Sequence, residues 1–328
     1  MISKKYLIYI NIFILFSCSN QEKEEKITLE GAVFGTTYKI VYLNSSTNYQ
    51  KSIDSLFLLM NTSLSTYIPS SDISKINNGD TAVLVDDIFL EVFEKSKRIY
   101  RETDGYFDPT VGNLVNAWGF GPKNEKKNLT AAEIQDLMQF VGLDQVSIID
   151  RQVFKKETNI YLDFNSIAKG FGIDVVARFL TSKKITNFLV EIGGEIRAKG
   201  TKNNKVPWLI KLVDPLNEGT IHKYKNINLS NKSMATSGNY RKFRITENGQ
   251  KYVHTINPIT GEAKESNLLS ASVIANLDCA DVDAYATAFM AMGLEKSKIF
   301  LQEHPSIDGI LLFVDEKGSL KEYSTISF

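Results

Sequence analysis

Residues 160–192, IYLDFNSIAKGFGIDVVARFLTSKKITNFLVEI, decide the fold class. Ile160–Phe164 reads as a strand, Ile167–Leu180 as a helix and Phe188–Ile192 as a second strand. A parallel βαβ unit would look like this, but the alternation does not recur. Downstream come the strand Trp208–Val213 and several more between Asn228 and Ala275. Upstream, Thr28–Asn44 alternates as strand, turn, strand, with Gly35 as the break. Gln50–Leu64, Ile88–Tyr100 and Thr130–Val141 have helical spacing, the last opened by a capping-box-like Thr130-Ala-Ala-Glu133. Val146–Ile149 is a further strand, and Asp308–Ser324 closes as a hairpin through Glu316-Lys317-Gly318. Strands and helices mixed in this way predict an α+β fold, with largely antiparallel mixed sheets and packed helices, rather than a doubly wound one. Arg101–Lys127 is rich in Gly, Asp, Asn and aromatics and has no period, and a loop of that length in a compact domain is usually functional.

The start of the chain reads as a processing signal. Lys4 and Lys5 precede an apolar run, Tyr6–Phe16, too short for a comfortable transmembrane helix. Leu15-Phe16-Ser17-Cys18 resembles a bacterial lipobox, in which Cys18 is lipidated and becomes the new N-terminus. Residues 1–17 are then a lipoprotein signal peptide, 18–27 a polar tether and 28–328 one catalytic-sized domain. The expected location is the bacterial cell envelope, lipid-anchored to the inner or outer membrane and facing the periplasm. Basic and acidic side chains number 38 each, so no basic excess suggests a nucleic-acid partner. There are two cysteines. With Cys18 acylated, Cys279 stands alone as a small buried residue and no internal disulfide forms.

Six segments carry chemistry. In Asp278–Gly293, DCADVDAYATAFMAMG, Asp283 and Thr287 lie one helical turn apart on a face of small residues. A carboxylate and a hydroxyl so placed suit a hard cation such as Mg²⁺, or else belong to a capped or solvated helix end. Thr103–Thr110, TDGYFDPT, and Trp118–Pro122 join aromatics, glycines and an Asp: a clamp for a planar ring, or a turn packed by its own aromatics. Leu162–Gly172 feeds a strand into a helix N-terminus, with Asp163, Asn165, Ser166 and Lys169 there for anion binding or capping. Glu191-Ile-Gly-Gly-Glu195 and Ser233–Gly238 are small-residue strand ends that permit close approach of a ligand or a tight turn. His254–Gly261, HTINPITG, holds one of three histidines, catalytic or structural. No Ser/His/Asp spacing, CxxC pair or HExxH is present, which leaves ordinary hydrolase triads and structural zinc without support.

Taken together these segments resemble the ApbE family, flavin transferases that use FAD to attach FMN to proteins. The resemblance runs from about Gly31 to Gly293. It is carried by Gly35-Thr-Thr-Tyr38, Ser65–Asn77 (STYIPSSDISKIN), the Thr103–Pro122 loop, Leu162–Gly172, Gly193-Gly-Glu195, Ala235-Thr-Ser-Gly238, His254–Gly261 and Ala280–Gly293. It implies that Phe34, Tyr67, Tyr106, Phe107, Asp108, Asp163, Lys169 and Ile256 contact FAD. It further implies that Ser166, Asp283 and Thr287 bind Mg²⁺. Phe34 stands where many relatives have Met. Asn257 replaces an Asp, and since Asn cannot act as a base, that role falls to His254, the candidate general base, or to a metal-bound water.

The activity so implied is Mg²⁺-dependent transfer of FMN from FAD to a Thr or Ser hydroxyl of an acceptor protein, such as a membrane redox-complex subunit, with release of AMP. The same site using water would hydrolyse FAD to FMN and AMP. A flavin-binding lipoprotein without catalysis is the third reading.

Overall fold

The computed structural model describes residues 25–122, 128–202, 205–216, 223–239, 243–245 and 251–326, so Cys18 and the leader lie outside it. In chain order the elements are β1 (Lys26–Val33), β2 (Thr36–Leu43), α1 (Gln50–Leu64), α2 (Asp72–Asn77), α3 (Asp87–Glu102), α4 (Gly112–Ala117) and α5 (Ala131–Met138). There follow β3 (Val146–Ile149), β4 (Gln152–Lys155), α6 (Ala168–Ser182), β5 (Phe188–Ile192), β6 (Glu195–Lys199), β7 (Trp208–Val213), β8 (Lys223–Leu229) and β9 (Lys232–Gly238). The chain continues through β10 (Phe243–Ile245), β11 (Lys251–Val253), β12 (Leu268–Ala275), α7 (Cys279–Met292), α8 (Leu294–Glu303), β13 (Ile307–Val314) and β14 (Leu320–Ser324).

Eight strands form one sheet in the order β1-β2-β5-β6-β9-β12-β13-β14, and every pairing in it is antiparallel. The expected α+β class with antiparallel sheet is what the chain adopts. Strand alternation divides the interior in two. Along β2, Tyr38, Ile40 and Tyr42 point to a core shared with α1, α3, α6 and α7, whereas Val41 and Leu43 point to the opposite face. That second face is covered by the β7–β8 ribbon through Trp208, Ile210, Ile227 and Leu229. The central helix α7 is buried nearly all round, as its small and apolar composition requires. A third cluster joins α4, α5, β11 and the segment after it through Leu114, Trp118, Ile134, Tyr252 and Ile256.

Three local readings change. Ile160–Phe164 is not a ladder strand: it makes one isolated bridge, Tyr161 to Val111. The reason is Asn77, whose side chain takes both backbone groups of Leu162, Nδ2 donating to its carbonyl and Oδ1 accepting its N–H, each at 2.8 Å. An amide side chain therefore replaces a neighbouring strand. The aperiodic loop 101–127 contains α4, and α2 forms after Ser71, whose hydroxyl accepts the Ser74 N–H. Both helices span six residues, too short to show a period. Finally, Lys26 and Ile27, the last residues of the expected tether, are already paired in β1.

Candidate active site

The α6 and α7 N-termini meet with no room for a side chain. A Cβ on Gly170 would lie 2.4 Å from the Cys279 carbonyl oxygen. The contact is fixed from α6 by Asp174, fully buried, whose carboxylate accepts the N–H groups of Cys279 and Ala280, both at 2.8 Å. Asp174 thus caps α7 from a neighbouring helix, while Asp278 at the N-cap position makes no side-chain cap bond of its own. Arg197 pairs with both carboxylates. Burial pushes the Asp174 carboxyl up to about 6 against the pull of Arg197.

This clamp sets Asp283 beside Lys169. Asp283 Oδ2 accepts the Gly170 N–H at 3.0 Å, and Oδ1 lies 3.6 Å from Lys169 Nζ. Lys169 donates at 3.1 Å to Glu195 Oε1 at the start of β6. Burial works against the lysine's charge, but Asp283 and Glu195 outweigh it and raise its pKa, so it stays an ammonium. Burial pushes the Asp283 carboxyl up to about 7, only partly opposed by Lys169. One turn along α7, Thr287 Oγ1 lies 3.3 Å from Ser237 Oγ on β9.

The acceptors gathered here are oxygens: the Asp283 carboxylate, the Thr287 and Ser237 hydroxyls, and Glu195, whose buried Oε2 has no hydrogen-bond partner among the described residues. Among those residues no three His, Cys, Asp or Glu side chains converge as a metal cluster. The set fits Mg²⁺, which takes one or two carboxylates and keeps waters and substrate phosphates as its other ligands, better than a thiophilic or imidazole-seeking metal.

Opposite α7 stand the aromatics. Phe34 occupies the tip of the β1–β2 hairpin with φ 51°, followed by Gly35 at φ 74°. A left-handed Phe costs on the order of 1–2 kcal/mol, and bulky residues are held so mainly where the side chain has a task. Its ring meets Phe57 edge-on at 5.6 Å and closes one end of the site. Tyr106 holds its ring under Lys296, which donates to the phenol oxygen at 2.5 Å. Asp108 is buried and accepts from the Thr110 N–H and hydroxyl at 2.8 and 2.6 Å, and burial pushes its carboxyl up to about 6. Tyr67 is exposed at the rim, its phenol raised by partial burial and by the Asp163 charge. The cavity enclosed by these groups measures about 790 Å³, within the usual range for a small-molecule site.

Comparison with known proteins decides the family. Residues 34–311 match the ApbE family model. The chain belongs to the ApbE family. It is 33% identical over 327 residues to an FAD:protein FMN transferase of Vibrio cholerae, covering 97% of this chain and 96% of that one. It is 34% identical to the protein of that name from Haemophilus influenzae, covering 88% and 87%. Its fold superposes on the flavin transferase ApbE from Vibrio cholerae with a TM-score of 0.82, covering 93% of this chain and 98% of that one.

All twelve pocket residues expected from the ApbE resemblance line this one cavity: Phe34, Tyr67, Tyr106, Phe107, Asp108, Asp163, Ser166, Lys169, His254, Ile256, Asp283 and Thr287. Cys18 lies outside the described residues. His254 is half-buried in the wall just after β11. Asn257 is a turn former: its Oδ1 accepts the Ile259 N–H at 2.9 Å and its Nδ2 donates to the Ala291 carbonyl at 3.2 Å. Sequence reasoning gave no role to Glu195 or Ser237, although both lie in quoted motifs. Nor did it assign Met60, Asn61 and Leu64, which α1 contributes to the wall. Their only signal was membership of an amphipathic helix, which marks a buried face without saying that it borders a cavity.

Proposed function

We propose that the chain, a flavin transferase by family, moves the FMN half of FAD onto a Thr or Ser hydroxyl of an acceptor protein. The acceptor oxygen forms a bond to the FMN phosphorus, the bond from that phosphorus to the AMP oxygen breaks, and AMP leaves. The observation that carries this reading is the convergence of aromatics, the Lys169 ammonium and the buried Asp283 carboxylate with adjacent hydroxyls in a single cavity.

In this reading Phe34, Tyr67, Tyr106 and Phe107 frame the ring systems of FAD, and Ile256 packs against them. Asp108 and Asp163, anchored by Thr110 and by the Asn165 N–H, accept hydrogen bonds from the substrate. Lys169, a fixed ammonium held by Glu195, lies against the diphosphate and keeps it from repelling the incoming oxygen. His254 takes the proton of the acceptor hydroxyl as general base. Mg²⁺ would be held by Asp283, Thr287 and Ser166, and when bound it supplies positive charge to the phosphate oxygens and the leaving group. The acceptor is a protein of the same compartment, such as a membrane redox-complex subunit. The chain itself is anchored to the bacterial envelope by lipid on Cys18, facing the periplasm.

The test is AMP release from FAD, with and without Mg²⁺ and with and without an acceptor peptide bearing Thr or Ser. Acceptor-dependent AMP with flavin fluorescence on the peptide supports the transfer. AMP in equal yield without acceptor would make the chain an FAD pyrophosphatase, and no AMP under any condition would leave a flavin-binding protein.

A further inference from the structure

The sheet face opposite the helices holds a second cavity, of about 820 Å³. It is separate from the flavin site: on β9, Thr236 lines this cavity and its neighbour Ser237 lines the other, so the two stand back to back across one strand. The floor is the sheet, with Val41, Leu189 and Met234. The roof is β7, which turns Trp208, Ile210 and Leu212 inwards.

The polar groups inside are already engaged. Glu191 accepts the Gly194 N–H at 2.7 Å and Thr236 shares a 2.8 Å hydrogen bond with Ser272. Among the described residues no lining group asks for a hydrogen-bonding ligand, which favours an occupant with an apolar body. The lining has the opposite character in its charges: Lys26, Lys39, Lys202 and Lys211 face a single acid, Glu191, among the described residues. Lys39 pairs with Glu30, but Lys26, Lys202 and Lys211 are exposed and have no ion pair among the described residues. Lys202 Nζ lies 5.7 Å from the centre of the Trp208 ring, which ties the charged rim to the apolar roof. An apolar slot of this size with a cationic rim is complementary to an apolar chain ending in an anion.

We infer that the slot between β7 and the sheet binds the acyl chain of an anionic amphiphile, its head group held by Lys26, Lys202 and Lys211. The chain lies under Trp208, Ile210 and Leu212.

The test uses the full chain carrying Cys18→Ser, so that no acyl group of its own competes, and Trp118→Phe. There are two tryptophans, so the remaining fluorescence is that of Trp208. Titration with 5-doxyl-stearate should quench it saturably. The stearate should bind about tenfold more tightly than its methyl ester, and Lys202→Glu with Lys211→Glu should weaken the stearate by a similar factor. Both lysines are exposed and make no ion pair among the described residues, so the unfolding midpoint should move only by the small loss of the Lys202–Trp208 contact. Vesicles of doxyl-labelled phosphatidylglycerol tell a membrane lipid from a free fatty acid, and quenching by either supports the inference. Absence of saturable quenching would overturn it. So would equal binding of the methyl ester, or displacement only by an acidic extended peptide adding to β7, which pairs with β8 alone among the described residues.

Discussion

Gly170→Ala separates two physical effects of opposite sign. Helix propensity favours alanine by up to about 1 kcal/mol, so an isolated α6 would gain. The built Cβ, however, lies 2.4 Å from the Cys279 oxygen, 2.6 Å from its carbonyl carbon and 2.7 Å from the Ala280 nitrogen. All three are backbone atoms of α7, and Asp174 pins that same turn through two hydrogen bonds. Relief therefore requires sliding a buried helix rather than turning a side chain. Overpacking of this kind costs about 1–3 kcal/mol or more; against the propensity gain, a net loss of up to about 2 kcal/mol is expected, or roughly 3 °C in Tm for a chain of this length. A shift of α7 by about 1 Å relative to Lys169 should also lower the rate of AMP release by about a hundredfold. Gly172→Ala is the control in the same helix. Its Cβ would meet the Phe34 ring at 2.7 Å and the end of Met60 at 3.4 Å, side chains that can move, so a smaller loss is expected. Urea unfolding followed by circular dichroism, with AMP release in parallel, reads both quantities. A Gly170→Ala protein as stable and as active as the parent would refute the idea that this contact sets the site.

Four further outcomes are expected. Asp283→Asn keeps an acceptor for the Gly170 N–H and removes a carboxylate that burial already disfavours; AMP release should fall about 10²–10³-fold or more with the unfolding midpoint unchanged or higher, and undiminished turnover would sink the assignment. The Asp108 carboxyl stands near 6 in the folded chain against 3.8 unfolded; the native state holds the extra proton between those values, so stability falls as pH rises through that window and levels off above it, by up to about 3 kcal/mol. Asp108→Asn should make that slope shallower in urea titrations at pH 4.5 and 7, with Asp174 and Asp283 keeping their own shares, and parallel curves would contradict it. Asp174→Ala strands two α7 N–H groups and part of the Arg197 charge and should cost about 3–5 kcal/mol in urea unfolding; a loss below 1 kcal/mol would show that the clamp is dispensable. Cys18→Ser should move the protein from the membrane to the soluble fraction, and unchanged partitioning would remove the lipid anchor.

The fold was readable wherever a side-chain period ran long enough. Gln50–Leu64 and Phe188–Ile192 coincide with α1 and β5 because burial on one side imposes a pattern over many residues. The reading failed where one distant residue supplies the missing partner. Nothing near Leu162 in the sequence announces that Asn77 will take both of its backbone groups. The pocket residues could be listed from family motifs, yet the α6–α7 clamp could not. A glycine that cannot bear a Cβ and an aspartate that caps another helix are defined by what lies across from them. Glu195 was likewise quoted as a strand-end residue, and its pairing with Lys169 shows only once the two segments are folded together.

The hydrogen bond between Gly170 and Asp283 joins residues 113 positions apart. Since the cavity also needs Phe34 near the start of the described chain, the site is complete only when α7 has docked. A truncated chain ending before residue 279 carries the aromatics, the Lys169 ammonium, Asp108 and Asp163 without the Asp283 carboxylate. Loss of α7 thus dismantles the cavity without removing any of the aromatics that frame it.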